Sequence, residues 1–141
     1  MGSSEDAADL RASEKVTLGQ QKAREFLGDK VTKVMKERTK PGLFSDTVQE
    51  YVMGVCYSSY DRPGLDFRSR ALMNIAMVIA LNRGPELKAH INAAFVQGLT
   101  EEEICEACRH AMIYCGVPAG VHAMLLAAEV ADQLREDGDI Q

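Results

Sequence analysis

With 141 residues, 46 % of them hydrophobic, the chain is long enough to close a core of its own and too apolar to be disordered. A net charge of −5 argues against a nucleic-acid binder, whose surface would be basic. Aromatics at 6 % and the absence of Trp leave Ala and Met to fill the interior, which favours packed helices over a β-sandwich.

In chain order, MGSSEDAADL carries acids and lacks the apolar segment of a signal peptide. The expected location is therefore the cytoplasm, with the four cysteines reduced. Residues 1–12 read as a disordered tail, 13–136 as one helical domain and 137–141 as a polar C-terminal tail. Ser13 to Leu27 carries Val16, Ala23, Phe26 and Leu27 at helical spacing and ends at Gly28. Lys30 to Lys40 reads as a basic surface helix, and Lys40-Pro41-Gly42 breaks the chain. Ser45 or Asp46 is placed to cap a third helix that continues through Val48, Val52, Val55 and Cys56. Asp61-Arg62-Pro63-Gly64 reads as a turn, after which Asp66 caps a central helix.

From Ala71 to Leu81 every residue but Asn74 is apolar, a pattern that predicts a core helix. The run is far short of the roughly 20 residues that cross a bilayer, so no membrane partner is expected. Gly84 suits the end of that helix and Pro85 the start of the next. The second helix of this hairpin puts Leu87, Ile91 and Ala94 on one face, with His90 at the edge of the stripe. Gly98 closes it, and Thr100 with Glu103 forms a capping box for a helix running to Cys115. There Ile104, Cys108, Ala111, Met112 and Cys115 are expected inward. Gly116 and Pro118 separate this from a last helix with Val121, Met124, Leu125, Ala128 and Leu134 as its stripe. No stretch keeps a period of two, so the fold class is an all-α single-domain bundle of about six helices with a central helical hairpin.

Two groups of residues invite a chemical reading. Cys105-Glu106-Ala107-Cys108 has the spacing of a redox pair or half a zinc site. Cys105 lies more than a turn inside its helix, behind three glutamates that disfavour a thiolate, and no further ligands converge by spacing. Buried, reduced core thiols are the favoured reading, with redox and metal roles as the alternatives. The second group is basic. Arg68 and Arg70 open the central helix, Arg83 ends it, His90 borders the core stripe, and His122 lies early in the last helix. Arginines clamp carboxylates and imidazole moves protons near neutral pH, so this set suits a small anion in a pocket. A satisfied structural histidine and surface ion pairs are the plainer alternative.

The chain resembles the carboxymuconolactone decarboxylase family of the alkylhydroperoxidase-D-like superfamily over residues 19–135. The resemblance rests on GQQKAREFLG (19–28), Val48-Gln49-Glu50, Arg62-Pro63-Gly64-Leu65 and RSRALMNIAMVIALNRGPEL (68–87). It continues through His90, Ala94-Phe95 and Gly98 to Ile113-Tyr114-Cys115-Gly116-Val117-Pro118-Ala119 and His122. The peroxidase branch of the superfamily carries a glutamate and a CxxC pair where this chain has Ala71, Arg83 and Glu86, so only His90 matches it. Tyr60 stands where the family usually has Trp, and Val121 where Asn is common.

The resemblance implies a cofactor-independent carboxy-lyase acting on γ-carboxymuconolactone, giving β-ketoadipate enol-lactone and CO2 in aromatic-compound breakdown. It implies His90, His122 and Glu50 as catalytic residues. Arg70, Arg83, Arg68 and Tyr60 would bind the anionic lactone. Glu50 would orient a histidine or act in a buried salt bridge. No cofactor and no metal are expected, and a homo-oligomer, a hexamer or trimer, is the implied assembly. The alternatives are a related decarboxylase or lactone enzyme of secondary metabolism, and a redox or non-catalytic superfamily member.

Overall fold

The computed structural model describes residues 4–141, which form two compact units, one running up to Gly64 and the other from Leu65 to Gln141. It is all-α, with no strand among the described residues. The order is α1 (Ser4–Leu27), α2 (Asp29–Arg38), α3 (Leu43–Val48), a π-helical segment (Gln49–Cys56), a 3-10 turn (Tyr57–Asp61), α4 (Phe67–Ala80), α5 (Gly84–Val96), α6 (Glu101–Cys115) and α7 (Val117–Glu136). None of the described helices is long and apolar enough to cross a membrane.

In the first unit, α1 begins at Ser4, so residues 4–12 are helical where a disordered tail was expected. Ala, Leu, Glu and Arg are strong helix formers, and Glu5 and Asp6 favour the positive end of the helix dipole. Residues 1–3 of the expected tail lie outside the described residues. Ala23, Phe26 and Leu27 are buried as their spacing requires, and α2 buries nothing, as a surface helix should. The third helix departs from expectation. It is capped at Gly42 and winds into the π form from Gln49. The wider turn rotates the helix, so Met53, Gly54 and Tyr57 face the core while Val48, Val55 and Cys56 are exposed. The backbone of this segment comes so close to α1 that a Cβ on Gly19 would stand 1.7 Å from the Met53 carbonyl oxygen.

The second unit is the antiparallel hairpin α4–α5 packed with α6 and α7. Asp66 caps α4 by accepting the Ser69 N–H at 2.7 Å, and that bond holds its carboxyl below the usual carboxylate range. Thr100 and Glu103 make the reciprocal capping box of α6. Gly98 and Gly116 take positive φ, 78° and 98°, where α5 and α6 end. Two expectations change here. Asn82, at φ 54°, supplies the left-handed residue that ends the α4 region, and Gly84 instead opens α5 with Pro85 behind it. The α4 helix also buries only one face, through Ala71, Ile75 and Ile79, while Met73, Met77 and Leu81 are 50, 51 and 67 % exposed. The same holds on α7, which buries Gly120, Ala123, Leu126, Ala131 and Leu134 and turns Val121, Leu125 and Ala128 out. Cys115, expected inward on α6, is exposed as well.

Candidate functional site

The start of α5 gathers the polar groups of the second unit. The chain leaves α4 at Leu81, reverses at Asn82 and enters α5 with Arg83 as its N-cap. Pro85 pre-sets the first helical turn, and its missing N–H is one that has no intrahelical partner anyway. The apolar residues Leu87, Ile91 and Ala94 are buried and fix the rotation of α5. That rotation leaves His90 half-buried, with its Nδ1 atom inaccessible to solvent. Glu86, one turn earlier, shares its face at the i,i+4 spacing.

His122 reaches this end of α5 from α7. A methyl group placed on Gly84 would stand 3.5 Å from His122 Nε2 and 3.7 Å from Leu126 Cδ1. The lack of a side chain at Gly84 therefore opens the gap beside this imidazole. Arg83 is exposed at the turn, and no ion pair with another described residue holds it. The structure thus brings Arg83, Glu86, His90 and His122 to the first two turns of α5.

Burial pushes the His90 imidazole below its ordinary value of 6.5, and the Glu86 carboxylate pulls against that fall. In the free protein His90 is therefore mainly neutral at pH 7 and able to gain a proton when an anion arrives. Such a group, on the same helix start as an exposed guanidinium and near a second imidazole at Gly84, can take part in binding a carboxylate and moving a proton.

The other expected site residues are held elsewhere. Arg68 donates to the Gly98 carbonyl at 2.7 Å and pairs with Glu103 at 2.7 Å. It ties the start of α4 to the α5–α6 corner, about 20 Å along the hairpin from Arg83 at 1.5 Å per residue. Arg68 is thus engaged at the Gly98 end of α5, eight residues along the helix from His90. Arg70 is half-buried, and its Nε donates to the Leu65 carbonyl at 3.2 Å. In the first unit, Tyr60 packs on Phe26 and Tyr57, with ring centroids 4.8 and 5.1 Å apart. Glu50 is exposed on the π-helical segment, so it is not the buried salt-bridge partner that one reading made it. Glu86 is the residue that sequence reasoning did not assign. An acid in the first turn of a helix ordinarily answers the helix dipole, which hid its second position, four residues before His90.

All four cysteines are free. Cys108 is buried, which together with Cys105 pushes its thiol up to about 11, while Cys105 is exposed beside the Met124 sulfur at 3.9 Å. Buried core thiols describe Cys108 and not Cys105. A thiol so reluctant to ionise is a poor nucleophile. Replacing both residues, Cys105→Ser with Cys108→Ala, is expected to leave turnover within about threefold of the parent, because no step at the α5 end needs a thiolate; a steady-state rate measurement checks it. Among the described residues no three His, Cys, Asp or Glu side chains converge as metal ligands.

An all-α bundle built on a helical hairpin is the architecture of the alkylhydroperoxidase-D-like superfamily. The chain belongs to the carboxymuconolactone decarboxylase family, whose model matches residues 46–129. It is 33 % identical over 101 residues to a nitrosuccinic acid decarboxylase of Metarhizium robertsii, covering 72 % of this chain and 67 % of the relative. It is 37 % identical over 91 residues to a 4-carboxymuconolactone decarboxylase of Acinetobacter baylyi, covering 64 % of this chain and 66 % of that relative. The matched part thus spans about two thirds of each relative, and both relatives are decarboxylases.

Proposed function

We propose that the protein is a decarboxylase of a small dicarboxylic acid that carries its own electron sink, with γ-carboxymuconolactone as the first substrate. The observation that carries this reading is the half-buried His90 on α5, one turn beyond Glu86, on the helix whose start carries Arg83 and meets His122 at Gly84. The two relatives support it, since their acids share one feature. Each has a carboxylate placed so that the electron pair left by CO2 flows into an oxygen: a conjugated lactone carbonyl in one, a nitro group in the other. With the sink inside the substrate, the protein has three tasks: hold the remaining carboxylate, stabilise the developing oxyanion, and return a proton to carbon.

Arg83 anchors the carboxylate that stays, in the bidentate geometry a guanidinium favours. His122 donates to the developing oxyanion. His90, its charge favoured by the arriving anion, gives its proton to the carbon that lost CO2 and regains one from solvent. Nitrosuccinic acid is the second reading, favoured by the larger share of this chain, 72 %, that its relative matches. We also infer self-association, because the exposed stripes Met73-Met77-Leu81 on α4 and Val117-Val121-Leu125 on α7 leave apolar surface for a second copy to cover.

The test is CO2 release by the purified protein from each acid. Enol-lactone and CO2 from carboxymuconolactone support the first reading, and CO2 from nitrosuccinate alone supports the second. A folded protein that releases CO2 from neither overturns both.

A further inference from the structure

Glu86 has no place in the mechanism above, yet it shares the face of His90. It is the third residue of α5, after Arg83 as N-cap, Gly84 and Pro85. At four residues' separation its carboxylate lies over the same strip of helix surface as the imidazole. Other charges near α5 are occupied or face elsewhere. On α7, Glu129 is held by Lys88 at 2.6 Å, and His122 stands at Gly84. On α4, the register set by Arg68 against Gly98 puts the uncharged Asn74 at about the level of His90, and Arg70 reaches back to the Leu65 carbonyl. On α6, Glu103 is taken by Arg68 and its own capping box.

We propose that Glu86 is a positioning residue for His90, holding the imidazole ready to take up the proton that decarboxylation consumes. The inference rests on the proposed reading of the site as a decarboxylase. In the balanced step, the bond from carbon to the leaving carboxylate breaks and its electron pair enters the sink as CO2 departs. A proton on the His90 imidazolium then passes to that carbon, leaving neutral imidazole that is reprotonated from water. A carboxylate one turn away favours the imidazolium before transfer. Burial opposes it, and without Glu86 the charged form would be scarcer at working pH. The same carboxylate would repel an anionic substrate, which gives Arg83, three residues before it, the task of offsetting that charge.

The test titrates His90 by NMR in the parent, in Glu86→Gln and in Glu86→Asp. With three histidines in the chain, the signal is assigned through His90→Gln. In Glu86→Gln the His90 midpoint is expected to fall by about half a pH unit, a shift of the size that loss of one solvent-screened charge allows. The alkaline limb of kcat/KM, where the imidazolium is lost, is expected to move down by the same amount, with activity recovering as pH is lowered. Glu86→Asp, with charge kept on a shorter arm, is expected to fall between. An unmoved His90 midpoint in Glu86→Gln overturns the proposal whatever the activity does. A shifted midpoint with no CO2 from either acid upholds the coupling and removes the decarboxylase reading instead.

Discussion

Replacing His90 with Ala or Gln is expected to lower kcat for CO2 release by about 10²–10⁴-fold, the span that a positioned general acid supplies. The KM is expected to change little, because the carboxylate anchor is Arg83. The variants are expected to stay folded, since Ala and Gln both suit a helix interior and the neighbours Leu87 and Ile91 carry the packing of α5. Far-UV circular dichroism matching the parent is the control. Undiminished turnover by a folded variant would exclude His90 from the reaction.

The same residue ties catalysis and stability to pH in opposite directions. Burial holds the folded-state value of His90 below 6.5, its ordinary value in an unfolded chain. The unfolded chain therefore binds the proton more readily in the interval between the two values. The stability that goes with a neutral His90 is complete above about pH 6.5 and is lost as pH falls through the folded-state value. The proton-donating form is scarce in that stable range and grows as pH drops. Both Glu86 and an incoming carboxylate narrow this conflict by favouring the charged imidazole when it is needed. A urea titration of His90→Gln at several pH values is expected to show less loss of stability on the acid side than the parent.

The local punctuation of this fold is legible residue by residue. Asp66, the Thr100–Glu103 box, Gly98, Gly116 and Pro118 act as their side chains and backbone freedom dictate. The faces of α4 and α7 are not, and the reason is physical. Where apolar residues run almost unbroken, as in Ala71–Leu81 or Val121–Ala128, periodicity cannot choose between two apolar faces. Only the neighbouring helices decide which is covered. That is why Leu126 is buried and Leu125 is not. The π-winding at Gln49 rotates a third stripe, and no side-chain pattern announces it. For the site, His90 beside the core stripe was readable from spacing. The Arg68 contacts with Gly98 and Glu103 were not readable, because nearness in sequence does not tell which end of a hairpin a side chain serves. The approach of His122 to Gly84 was not readable, because only the packing of α7 on α5 sets it.

Gly19→Ala is expected to destabilise the protein by at least about 3 kcal/mol, the upper end for an overpacked core, and to lower Tm by about 10 °C. The sign is the telling part. In a solvated helix the same change would stabilise by about 1 kcal/mol, because Ala surrenders less backbone freedom than Gly. At Gly19 the added Cβ would stand 1.7 Å from the Met53 carbonyl oxygen and 2.4 Å from its carbon. These are backbone atoms, so no rotamer change relieves the clash and α1 must separate from the π-helical segment. The glycine hydrogen now in that place points at the carbonyl, a contact of the Cα–H···O kind that close helix pairs use. Gly54 provides the internal contrast. A Cβ there would meet only the Val16 Cγ2 methyl, at 3.3 Å, which a small side-chain shift accommodates. Gly54→Ala is therefore expected within about 1 kcal/mol of the parent, since the squeeze and the gain in helix propensity oppose each other. Thermal and urea unfolding of the two variants side by side decides the point. If Gly19→Ala melts at or above the parent, the helices do not meet backbone to backbone at this glycine, and the tight α1 contact that buries Met53 is wrong.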